Sequence, residues 1–202
     1  YTRWYSSAAQ MCIRDSSTMS IPNLLAVSRL ILTVVVMVMI LASPDNRSMA
    51  IAAGIVFVIA ALTDFADGYL ARRWRITTTL GAFLDTVADK ILVAGALIAL
   101  VEIGTTSSWV AFIIICREIA IMGLRSVAAL DSGTVPPSLW GKWKATIQFV
   151  AITLAIMKFD LVIGPWRLDQ WAMAAAVVVT VVSAGDYFSR FRAVFSRTDK
   201  DV

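Results

Sequence analysis

Histidine is absent from all 202 residues. This removes the usual general base near neutral pH and the commonest imidazole metal ligand. Cysteine occurs only twice, at Cys12 and Cys116, and the two fit no metal-binding spacing. Cys116 lies in an apolar run and reads as a packing residue. Charge is scarce too: Asp, Glu, Lys and Arg make up 16% of the chain, against roughly 25% in soluble domains. Any chemistry must therefore use a few carboxylates, amines, guanidinia and hydroxyls. No basic, aromatic-interleaved patch suggests nucleic acid. The apolar runs do not alternate residue by residue, which argues against a β-barrel.

What is present is oil. Hydrophobic residues make up 59% of the chain, and the mean hydropathy is +0.78. Six apolar segments approach the roughly 20 residues that cross a bilayer as helix. They cover about 24–42, 49–71, 81–103, 108–130, 139–158 and 169–192. Helices satisfy their own backbone hydrogen bonds in lipid, so the expected fold is an all-α integral membrane protein with six transmembrane helices. Residues 1–18 contain no apolar core of the signal-peptide type, and Met19 opens a stretch that reads as a natural start. They are read as a non-native or disordered lead-in. Residues 19–192 are then the catalytic domain and 193–202 a polar tail.

Basic residues set the expected orientation. With the N-terminus in the cytoplasm, the inner loops and C-terminus hold Arg72, Arg73, Arg75, Lys142, Lys144, Arg190, Arg192, Arg197 and Lys200. The outer loops hold Arg47, Lys158 and Arg167. That asymmetry obeys the positive-inside rule. The net charge of +4 fits a cytoplasmic face against anionic lipid.

Four aspartates stand out against this background. Asp64 and Asp67 are three apart and share a helix face, which Gly68 and Ala71 extend. Asp85 and Asp89 are four apart, with Gly81 four before Asp85. Small residues let two helices, or a helix and a ligand, approach closely. A short link between the two helices would bring the four carboxylates together. One aspartate at a helix end would simply pair with Arg72, Arg73 or Arg75. Four at helical spacing, interleaved with glycines, repel one another and call for cations. An all-oxygen ligand set suits Mg²⁺ or Mn²⁺. Two ions fit the arrangement that bridging carboxylates hold in phosphoryl transfer. A divalent-cation transporter is the alternative from another class. Its site would be expected near broken helices at mid-membrane in paired repeats, and no second acidic copy occurs.

The run Asp64-x2-Asp67-Gly68-x2-Ala71-Arg72-x8-Gly81-x3-Asp85-x3-Asp89 resembles the signature of the CDP-alcohol phosphotransferases. "IPNLLAVSRLILT", "GAFLDTVADKILVA", "CREIAIMGLRS" and "WGKWKATIQ" resemble the members whose acceptor is a glycerol phosphate. The likeness covers about residues 19–190, with Thr86 standing where proline is more usual. It implies a homodimer in a bacterial inner membrane, with its active site facing the cytoplasm. It implies transfer of a phosphatidyl group from CDP-diacylglycerol to sn-glycerol 3-phosphate. Inositol phosphate, serine or a phospholipid are the alternative acceptors. By the same likeness Asp64, Asp67, Asp85 and Asp89 hold metal, and Asp89 also takes the proton. Pro22, Asn23, Gly68, Arg72 and Thr78 match positions that hold CDP-diacylglycerol. A phosphorylated acceptor needs cations, and Arg117, Arg125, Lys142 and Lys144 are the candidates. Charges inside an apolar run are functional by default.

Overall fold

The computed structural model describes residues 21–74, 79–130, 139–159 and 161–198, and side-chain surroundings over 27–63, 87–126, 143–159 and 161–189. The expected lead-in 1–18 lies outside the described residues. Among them the fold is all-α, with one small hairpin: α1 (Ile21–Leu41), α2 (Arg47–Trp74), α3 (Thr79–Glu102), α4 (Ser108–Leu130), α5 (Leu139–Met157), β1 (Val162–Ile163), β2 (Trp166–Arg167) and α6 (Leu168–Thr198).

Local chemistry sets the boundaries. Pro44 cannot donate to a continuing helix, and α1 closes before it with Ser43 Oγ donating to the Ile40 carbonyl at 2.7 Å. Asn46 then caps α2, its side-chain oxygen accepting from Met49 N–H at 3.1 Å. At the end of α3, Gly104 has φ 71°. Its N–H bonds the Val101 carbonyl at 3.0 Å, and that of Thr105 bonds the Leu100 carbonyl at 2.9 Å. That pair of bonds is the Schellman closure, which needs a left-handed residue.

Most helix boundaries fall within three residues of those read in the sequence, and two features depart further. The link between α5 and α6 holds an antiparallel hairpin pairing Val162 with Arg167 and Ile163 with Trp166. Gly164 supplies its positive φ of 64°, as the first turn position of a II′ hairpin requires. A turn of two residues with such short strands leaves no periodicity to read. At the other end α6 runs on to Thr198, beyond the apolar limit at 192. Backbone hydrogen bonds carry a helix into polar sequence that a hydropathy window excludes.

The core lies among all six helices. Val36 and Ile40 of α1, Phe57 of α2, Leu97 and Leu100 of α3, Ile114 of α4 and Ile152 and Ile156 of α5 are wholly buried. α1 packs chiefly on α3, α5 lies between α2 and α6, and α4 bridges α3 and α6. Outside this core the surface stays apolar. Ile31, Val34, Val38, Leu62, Phe112 and Val178 are exposed. Trp109, Trp166 and Trp171 are exposed at one end of the bundle and Trp143 near the other. By length and composition Leu168–Ser189 could cross a membrane, and Val27–Leu41, Arg47–Thr63 and Trp143–Met157 are shorter apolar helices.

The α1–α3 contact depends on Gly95. A Cβ there would meet Thr33 Cγ2 at 2.8 Å and Met37 Sδ at 2.9 Å. Thr33 is β-branched and stiff at χ1. Gly95→Leu is therefore expected to destabilise by about 1–3 kcal/mol through overpacking. A Cβ at Gly123 meets nothing within 4 Å, so Gly123→Ala is expected to be neutral or slightly stabilising. Thermal unfolding of the two purified variants checks the contrast, and equal behaviour would contradict the close α1–α3 approach.

Candidate active site

The first half of the candidate site is carried by two helices. Asp64 and Asp67 lie on α2, three residues apart, and Asp85 and Asp89 lie on α3, four apart. In each helix that spacing keeps the pair on one face. The side chains of Asp64, Asp67 and Asp85 lie outside those described, as do those of Pro22, Asn23, Gly68, Arg72 and Lys142; Thr78 lies outside the described residues altogether. On the backbone, Pro22 and Asn23 fall within the first turn of α1, where proline is tolerated. Gly68 and Arg72 follow Asp64 and Asp67 along α2.

Asp89 is the member of the acidic stripe whose surroundings are defined. Its Oδ2 accepts from Lys90 Nζ at 2.6 Å, and the side chains keep 21% and 30% of their exposure. The same Lys90 Nζ lies 3.2 Å from Glu118 Oε2 on α4. Glu118 is buried and gathers two more cations on its other oxygen. Arg117 Nη1 stands 3.4 Å from Oε1, and Lys144 of α5 is ion-paired to the same atom. Arg117 is fixed from a further side, its Nη2 donating to Ser183 Oγ of α6 at 2.7 Å. One helical turn on, Tyr187 lies beneath Arg125, whose guanidinium carbon is 5.8 Å from the ring centroid, within cation–π range.

Four helices thus bring one ionic network together: Asp89 and Lys90 from the middle of α3, Arg117, Glu118 and Arg125 from the middle and later part of α4, Lys144 from early α5, and Ser183 and Tyr187 from the middle of α6. A buried carboxylate is tolerated only when paired, and Glu118 is paired on both oxygens. Among the described residues, the buried Arg117 Nε and Tyr187 Oη find no hydrogen-bond partner. Lys90, Arg117, Arg125 and Lys144 gather here, and such cations suit an anion such as a phosphate monoester, which carries about −1.5 to −2 near neutrality.

Of the cations picked from sequence, the structure brings Arg117 and Lys144 together and places Arg125 two turns further along α4. Lys142 stands two residues before Lys144, which on an α-helix is roughly 200° round the axis. The two lysines therefore do not share a face of α5. Sequence reading overlooked Lys90 and Glu118. Glu118 had a signal, an acidic residue in the middle of an apolar run. Arg29, buried on α1, was overlooked as well. A separate cavity of about 270 Å³ lies beside the α3–α4 link and the hairpin, lined by Thr105, Thr106, Ser107, Trp166, Asp169 and Gln170 among others. It does not include Asp89.

The donor set fits a hard cation: the acidic stripes supply oxygen alone, and hard divalent ions take oxygen ligands. Among the described residues no group of three or more His, Cys, Asp or Glu stands together, since three of the four aspartates fall outside the described side chains.

Comparison with known proteins gives the family. Residues 19–182 match the family described as CDP-alcohol phosphatidyltransferase. The chain is 36% identical over 184 residues to a CDP-diacylglycerol–glycerol-3-phosphate 3-phosphatidyltransferase of Bacillus subtilis, covering 85% of this chain and 94% of that protein. A protein of the same name from Haemophilus influenzae is 41% identical over 135 residues, covering 64% and 68%. Another from Rickettsia felis is 31% identical over 179 residues, covering 87% and 97%.

The network makes an asymmetric prediction about stability. Lys144→Met leaves Glu118 with Lys90 and Arg117, whereas Glu118→Gln leaves three neighbouring cations without their shared counter-ion. Breaking a buried pair from the side that strands charge costs about 3–5 kcal/mol. Glu118→Gln is expected to approach that range and Lys144→Met to fall well below it. Chemical or thermal unfolding of the two variants side by side decides the order.

Proposed function

The chain belongs to the CDP-alcohol phosphatidyltransferase family, and from that membership we propose that it transfers a phosphatidyl group from CDP-diacylglycerol to sn-glycerol 3-phosphate. The products are phosphatidylglycerol phosphate and CMP. The names of relatives 31–41% identical to it support this reading. The observation that carries it is the cationic network of Lys90, Arg117 and Lys144 beside Asp89. A carboxylate able to take a proton stands next to charges able to hold a phosphorylated acceptor.

In this reading Asp64, Asp67, Asp85 and Asp89 would hold two divalent ions, Mg²⁺ or Mn²⁺, whose chemistry is to neutralise the donor's pyrophosphate. The protein's own groups do the rest. Pro22, Asn23, Gly68, Arg72 and Thr78 hold the CDP part of the donor, and Arg72 can meet a phosphate as a planar fork. Arg117, Arg125, Lys142 and Lys144 hold the phosphate of the acceptor. The primary hydroxyl of glycerol 3-phosphate attacks the phosphorus that bears diacylglycerol. Its proton passes to an Asp89 carboxylate oxygen, the new P–O bond forms, and the bond to CMP breaks. General base catalysis depends first on such reach.

The setting belongs to the same proposal. α1 to α6 cross the bilayer six times, and the exposed valines, isoleucines and phenylalanines face lipid. Exposed tryptophans near both ends suit the two interfaces. In this proposal the aspartate end faces the cytoplasm, which the basic asymmetry supports, in a bacterial inner membrane, with the protein a homodimer.

The direct test is an acceptor panel. Purified protein in detergent–lipid micelles is given CDP-diacylglycerol, Mg²⁺ or Mn²⁺, and in turn glycerol 3-phosphate, inositol phosphate, serine or a phospholipid. CMP release with glycerol 3-phosphate and not the others is the expected result. Loss of turnover on chelation with EDTA, restored by added Mg²⁺ or Mn²⁺, is expected alongside. Asp89→Asn, an isosteric amide that cannot accept the proton, is expected to lower turnover by about 10²–10⁴-fold, the usual loss of a general base. A variant within about threefold of wild type would remove Asp89 from that role.

A further inference from the structure

Glu118 is the node of the ionic network, and nothing in the proposed reaction uses it. Its place in the middle of α4 is expensive for a carboxylate. A single counter-ion for Arg117 would need only one of its oxygens. Instead Oε1 serves Lys144 of α5 and Arg117 of its own helix, and Oε2 serves Lys90 of α3. Three cations from three helices converge on one buried side chain. Lys90 is in turn shared with Asp89, so the network is continuous from the acidic stripe to the basic wall.

Cations this close repel one another, and in a low dielectric the repulsion is large. Without a common anion, long flexible lysines turn outward to water with their stems along the helix. A lysine that does so no longer holds its ammonium where an incoming phosphate must sit. One carboxylate with four lone-pair sites can bind several donors at fixed angles.

We propose that Glu118 is a positioning residue, holding Lys90, Arg117 and Lys144 as one preformed wall that receives the phosphate of the acceptor alcohol. Glu118 itself does not touch the acceptor. Its negative charge sets the position of the three cations, which together outnumber it. Ser183, through its hydrogen bond to Arg117, steadies the same wall from α6. The inference rests on the proposed reading in one respect, that the acceptor carries a phosphate.

The test separates positioning from plain stability. Glu118→Asp keeps the charge but withdraws it by one methylene, so it cannot reach all three cations from the same backbone. Glu118→Gln keeps the shape and removes the charge. Each is purified, checked by size exclusion and unfolding temperature, and assayed with each substrate varied in turn. In Glu118→Asp the KM for glycerol 3-phosphate is expected to rise about tenfold, the lower end for a lost charge-assisted bond. In Glu118→Gln the rise is expected to be larger. The KM for CDP-diacylglycerol is expected to stay within about twofold in both. Inorganic phosphate, as a competitor of glycerol 3-phosphate, is expected to lose potency in step. Glu118→Asp lying between wild type and Glu118→Gln is the expected order. Lower unfolding temperature and fewer active molecules, with both KM values unchanged in the folded Glu118→Asp protein, would overturn the proposal. So would an equal rise in the two KM values. The wild-type acceptor panel keeps the two readings apart. If wild type uses inositol phosphate instead, the reading of the reaction fails and the KM for that acceptor tests Glu118. If it uses serine, both fail.

Discussion

A buried carboxylate must be surrounded by donors, and that requirement at Glu118 organises the meeting of four helices in this protein. Glu118 has three cationic neighbours on α3, α4 and α5, and Arg117 links the cluster to α6 through Ser183. Four helices therefore meet at a point where α3, α4 and α5 cannot shift alone without breaking an ion pair. Hydrophobic burial gives the bundle its cohesion, but it is tolerant of sliding. An ionic node with fixed angles is not, and it sets helix register in a bundle whose surface is oil on nearly every side.

The other fixed point is steric. At Gly95 the backbone of α3 approaches Thr33 and Met37 of α1 closely enough that a methyl group would overlap both. Gly54 of α2 meets Met157 of α5 in the same way. These contacts join α1 to α3 and α2 to α5, while the ionic network joins α3, α4, α5 and α6. Close packing thus fixes one set of helices and electrostatics the other.

The class of the fold was legible because its signals are long. Apolar runs near twenty residues give helices whose existence is hard to miss, and α4 matched its expected span of 108–130 residue for residue. The acidic stripes were legible because carboxylates at three and four residues state their own geometry on a helix. What escaped notice is of two kinds. The hairpin between β1 and β2 is too short for any period, and only Gly164-Pro165 marks it. Lys90 and Glu118 escaped because their meaning is long-range: each stands beside a residue of opposite charge in sequence, so a local reading pairs Lys90 with Asp89 and Glu118 with Arg117. Both local pairs do form. The bond between Lys90 and Glu118, and that from Lys144, exist only once three helices have assembled. Lys142 and Lys144 look like one basic patch in the sequence, but their spacing of two on a helix puts them on different faces of α5.

The position of Arg117 and Glu118 near the middle of α4 bears on how such a chain is made. In the proposed setting the ribosome delivers helices to the bilayer one after another. An isolated arginine at the centre of a span costs about 2.5–3.5 kcal/mol to insert. In α4 it arrives beside a glutamate, so the helix carries no net charge there and the two side chains can begin as each other's partner. Their later partners, Lys144 on α5 and Ser183 on α6, have not yet been synthesised. Topology is therefore committed before the network closes, and quality control by membrane proteases has an interval in which α4 still presents polar groups that only the last two helices cover.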